Sequence, residues 1–154
     1  TLIELIIVIA IIGILAAIAV PTIFDAQDKA KEAAVKGFAS SVLAGGQSYY
    51  AKMTFDKTMT AMPLPDGGPN NDTAAKLLAS DPDDWENIAG DGDNDNDISA
   101  YMKWTFANDG DYEVYYRSDG KTFVVGYTMD ATAEVPVYRK MGGQGGLAMF
   151  GQEE

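Results

Sequence analysis

The chain has 154 residues, a formal net charge of −12, no cysteine and no histidine. That length fits one domain of ordinary size, and the missing residue types exclude a disulfide, a Cys-ligated zinc, an attached haem and the usual imidazole acid/base or metal ligand. All but one unit of the charge lies after residue 24, and so acidic a surface repels nucleic-acid backbones and anionic membrane surfaces.

The first 24 residues, TLIELIIVIAIIGILAAIAVPTIF, carry a single charge at Glu4, and the run from Leu5 to Phe24 is uncharged and apolar. A helix needs about 20 such residues to cross the hydrocarbon core of a bilayer. An ionisable side chain at depth costs roughly 2.5–3.5 kcal/mol on insertion scales, so Glu4 marks a functional partner. A secretory signal peptide would begin with positive charge and have a shorter apolar region, whereas no Lys or Arg precedes Lys29. A plain anchor gains nothing from a carboxylate at this place.

Thr1-Leu-Ile-Glu4-Leu, followed by the apolar stretch with Gly13 and Pro21, resembles the N-terminal segment of type IV pilins and of their relatives, the pseudopilins. The likeness is close over about the first 25 residues, and beyond them only the plan of the chain is similar. It implies that Thr1 matches the second position of the mature family segment and Glu4 the fifth, with an N-methylated phenylalanine preceding Thr1. It also implies an assembly role for Thr1, Glu4, Gly13 and Pro21, with Glu4 pairing with the methylated amine of an adjacent subunit and setting axial register.

From Asp25 to about Ala44 the pattern remains helical, with Ala26, Ala30, Ala34, Phe38 and Val42 at four-residue spacing. Asp25 with Lys29 and Glu32 with Lys36 are i,i+4 acid-to-base pairs, each worth about 0.2–0.5 kcal/mol on an exposed helix. A helix running to Gly45-Gly46 would be about 65 Å long, more than a domain of this size needs, and must therefore be buried in neighbours as well. Pro21 has no amide hydrogen and its ring clashes with the carbonyl four residues back, so the segment from Gly13 to Pro21 either kinks or opens or is a transmembrane proline tolerated by adjacent helices. The resemblance favours opening on assembly. Gly45-Gly46 kinks or ends the helix, unless Tyr49, Tyr50 and Met53 prolong its apolar stripe.

Residues 56–100 read as an irregular acidic region broken by Pro63, Pro65, Gly67, Gly68 and Pro69. A short helical pattern covers 72–80, and Asp81-Pro82 starts another turn. After Ser99 the period becomes two: 101–106, 112–117 and 122–128 are rich in aromatic and β-branched residues, and Asn108-Asp109-Gly110 and Ser118-Asp119-Gly120 separate them as turn signals. Residues 135–139 add a fourth strand, which Pro136 confines to an edge. The tail, 142–154, has five glycines and reads as extended over the surface or mobile.

Asp91, Asp93, Asp95 and Asp97 alternate with Gly and Asn. Carboxylates at every second position converge on a hard cation when the loop curls, and Ca2+ takes six to eight oxygen ligands. Asn96 and Met102 stand where an EF-hand has its glycine and its bidentate glutamate, so this is not an EF-hand; the alternative is a solvated acidic turn. No enzyme emerges, because paired carboxylate chemistry needs an apolar cleft and these carboxylates lie in solvent-facing runs. The aromatic residues Phe24, Phe38, Tyr49 and Tyr50 invite an electron-carrying reading, but their helical spacing reads as core.

The expected fold is α+β: a long N-terminal helix, hydrophobic over 1–24 and amphipathic over 25–55, packed on an antiparallel sheet of three to four strands within 101–141. The expected function is that of the major pilin of a type IV pilus, a homopolymer extruded from the inner membrane by the assembly machinery into a helical surface filament. It requires no cofactor, binds no nucleic acid and has calcium as its one candidate ligand. The alternatives are a type II secretion pseudopilin and a membrane-anchored binding module that never polymerises.

Overall fold

The computed structural model describes residues 1–56, 61–63, 76–78, 85–89, 101–106, 109–133, 137–146 and 152–153. The chain divides into two compact units, Thr1–Ala34 and Val35–Glu154. One helix, α1 (Leu2–Phe55), supplies all of the first unit but its opening residue and also the first element of the second. Glu4 in its first turn and Lys52 in its last complement the helix dipole. The helix passes through Pro21, and Gly45-Gly46 neither ends nor interrupts it.

Six strands follow: β1 (Trp85–Ala89), β2 (Tyr101–Phe106), β3 (Asp109–Ser118), β4 (Phe123–Thr128), β5 (Val137–Gln144) and β6 (Gln152–Glu153). They lie side by side in chain order. Pairing is antiparallel from β1 to β5, and β6 runs parallel to Val137–Tyr138. The expected α+β fold is present, and its four antiparallel strands are β2 to β5. Strand β1 falls inside the stretch expected to be irregular. Within the expected short helix, Lys76 and Leu77 are helical, and the rest of 72–80 lies outside the described residues.

Core packing in the second unit follows from two periodicities. Along α1, Val35, Ala39, Val42 and Gly46 are buried at spacings of four, three and four, one face of a helix. Along β3, Val114 and Tyr116 join the core shared with that face, while Glu113 and Tyr115 alternate with them. Register places Trp104, Val114 and Tyr127 in one row across β2, β3 and β4, and Tyr116 beside Val125 in the next. Phe123 lies in this core against Tyr116, ring centroids 6.1 Å apart, and Tyr50, 6.4 Å away. The Phe38 and Trp104 rings meet edge to face with centroids 5.5 Å apart. Burial of each such aromatic ring contributes about 1.5–3 kcal/mol.

The buried stripe differs from the one read in the sequence. Ala26, Ala30 and Ala34 are exposed, and the line that packs is Val35, Ala39, Val42 and Gly46. Phe24 is also exposed, whereas Phe38, Tyr49 and Tyr50 pack against the core as expected. Alanine spacing reports a good helix former without saying which face meets a sheet.

Gly45 and Gly46 belong to the packing. A Cβ at Gly45 would fall 1.8 Å from the Leu77 carbonyl oxygen, and one at Gly46 would fall 2.5 Å from the Phe123 ring. Tight approach of neighbouring elements has selected glycine where sequence logic reads a stop. The segment at 61–63 is held by Met62 N–H donating to the Gly120 carbonyl at 2.8 Å and by the Tyr116 hydroxyl donating to the Pro63 carbonyl at 2.9 Å.

Strand β5 continues through Gly142 and Gly143 into residues assigned to the tail. A Cβ at Gly142 would meet Leu43 of α1 at 2.9 Å, and one at Gly143 would meet the Phe123 carbonyl oxygen at 2.2 Å. Gly145 then turns the chain at φ 85°, in the left-handed region.

Candidate assembly segment

The first unit presents an apolar surface on every side of the helix. Fifteen large apolar side chains between Leu2 and Phe24 are exposed, a continuous patch that soluble monomers do not carry. A helix that is hydrophobic all round is stable only when buried in lipid or in other protein. By length and composition α1 can cross a membrane. Its β-branched and leucine side chains, poor at distinguishing one helix face from another, suit a surround of either kind.

Of the four residues expected to serve assembly, Glu4, Gly13 and Pro21 lie on this helix and Thr1 directly precedes it. Thr1 and Glu4 are brought together, the Thr1 ammonium donating to the Glu4 carboxylate. The spacing of three places one above the other on a helix face, and the Glu4 side chain is 80% exposed. A Cβ at Gly13 would meet nothing within 4 Å among the described residues. Pro21 is accommodated inside the helix, and the neighbouring Thr22 hydroxyl donates to the Ala19 carbonyl at 2.7 Å. Gly13 and Pro21 are separate points on the same helix.

Asp91, Asp93, Asp95 and Asp97 lie outside the described residues. Among the described residues, no group of three or more carboxylates gathers as a metal site.

The sheet holds a polar cluster that sequence reading missed. Glu113, 6% exposed, accepts a bond from the Lys103 ammonium at 3.0 Å on one oxygen and from the Tyr115 hydroxyl on the other. The Tyr115 and Tyr138 rings meet edge to face, with centroids 5.0 Å apart. Between them on β4 stands Gly126, paired with Tyr115 on one side and Lys140 on the other, so no side chain of β4 separates β3 from β5 at this step. Burial, and then the bonds with Glu113 and Tyr138, hold the Tyr115 hydroxyl far above its ordinary pKa. Tyr116 is also raised, chiefly by burial. Glu113 alternates with the core residue Val114, so strand alternation alone puts it on the outer face; the signal that could have found it is Lys103, which register brings opposite Tyr115 on the same sheet face.

A small open cavity of about 130 Å³ is lined by Thr128, Met129, Asp130, Ala133, Val137 and Arg139. Among its described lining residues the one carboxylate is Asp130.

Comparisons with protein-family models, with curated proteins and with solved structures find no match for this chain.

Proposed function

We propose that this chain is the major structural subunit of a type IV pilus and that its mechanism is assembly. The observation that carries the reading is the all-round exposure of the apolar helix surface from Leu2 to Phe24, interrupted by one carboxylate. Before assembly, Leu5 to Val20 rest in the lipid of the inner membrane. On extrusion the helix exchanges lipid for the helices of neighbouring subunits, while the acidic second unit forms the outer surface of the filament. Glu4 pairs in the filament with the amine that begins an adjacent subunit. Each ion is desolvated by the move, so the pair stabilises the correct axial position and penalises any position that leaves the carboxylate alone.

Electron microscopy of material sheared from cells that make the protein tests the proposal. Long surface filaments containing this chain are the expected result. Short filaments confined to the envelope would instead identify a secretion pseudopilin, and a membrane-bound subunit with no filament would identify an anchored binding module.

The Asp91 to Asp97 repeat is proposed to take Ca2+ with the weak affinity of extracellular modules, about 10⁻⁴–10⁻³ M. Binding to the folded chain alone would raise its melting temperature as calcium rises. Equal melting in calcium and in chelator would leave a solvated acidic turn.

A further inference from the structure

We draw no further inference here: the strongest candidate, the partly buried side-chain cluster of Lys103, Glu113, Tyr115 and Tyr138 on the sheet face opposite the Val114 and Tyr116 core, pairs its acid with its own lysine and tyrosine, and nothing among the described residues shows a ligand or partner that it would take.

Discussion

Thr1–Ala34 and Val35–Glu154 draw on the same helix and satisfy it by opposite means. In the second unit, α1 has a face: Val35, Ala39, Val42 and Gly46 are buried and their neighbours around the helix are exposed or half-buried. In the first unit no residue is buried apart from the partial cover of Lys31 and Glu32, and the side chains with most to gain from burial are the exposed ones. A face is therefore a record of a partner within the chain. An apolar surface with no face has no such record, and lipid or a bundle of identical helices would each cover it on all sides.

The strongest test of that contrast is Glu4→Ala. Loss of the charge should leave membrane insertion unchanged or better, since the carboxylate opposes it by up to about 3.5 kcal/mol, while sheared filament yield should fall to background. Filaments at the native level would remove Glu4 from assembly. Next in size is Phe123→Ala, which empties the centre of the second unit and should lower stability by about 3–5 kcal/mol, read as chemical denaturation of the detergent-solubilised chain. Insertion of the first unit should be indifferent to it.

Glycine scanning sharpens the comparison further. Gly45→Ala would drive a methyl into the Leu77 carbonyl and should cost about 1–3 kcal/mol, although alanine is the better helix former. Gly37→Ala meets nothing within 4 Å and should stabilise by about 0.5–1 kcal/mol. Gly13→Ala also meets nothing among the described residues, so a loss of filament with an unchanged melting temperature would place its effect in the contacts between subunits. Opposite signs for Gly45 and Gly37 in one thermal-melt series are the expected outcome, and equal signs would contradict the packing described.

The smallest effect concerns alkaline pH. Tyr115 and Tyr116 have folded-state values raised above the ordinary tyrosine value, about 10. Below that pH both states hold the proton and the stabilisation is fully present. Above it the unfolded chain releases protons that the folded chain retains, so stability falls with rising pH by at most about 1.4 kcal/mol per unit for each tyrosine. Melting temperatures from pH 9 to 11 should decline, and Tyr115→Phe should flatten the decline. A native curve flat over that range would place these hydroxyls in solvent.

Much of the sheet was legible because β2, β3 and β4 are rich in aromatic and β-branched residues, and Tyr101–Phe106 has the bounds that this composition gives. The turn at Asp119 was also legible: its carboxylate accepts from the Lys121 and Thr122 amides at 2.9 and 2.7 Å, and Gly120 supplies φ 85°. Asn108-Asp109-Gly110 misled in part, since β3 already begins at Asp109, where a bulge at Thr105/Phe106 shifts the pairing. Strand β1, of five residues, has too few alternations to stand out within an acidic stretch. The helix ends at Phe55, the bound expected for its amphipathic part, whereas the end of β5 was missed. Glycine at 45, 46, 142 and 143 carries a local meaning, flexibility, that a long-range contact overrides, and such contacts are invisible until the elements are side by side. As for assembly, the sequence shows the apolar run and the charge, while the buried Glu113 depends on pairing that brings Lys103 beside it.

The glycine pair in β5 also guards the strand against slippage. A displacement by one residue would bring Met141 or Gln144 to a position where Leu43 or the Phe123 carbonyl leaves no room for a side chain. The misaligned state is thus eliminated by collision and not merely by weaker attraction. Amide exchange along Tyr138 to Gln144 should accordingly show one population, and Gly143→Ala, by making the native alignment collide as well, should split or accelerate it.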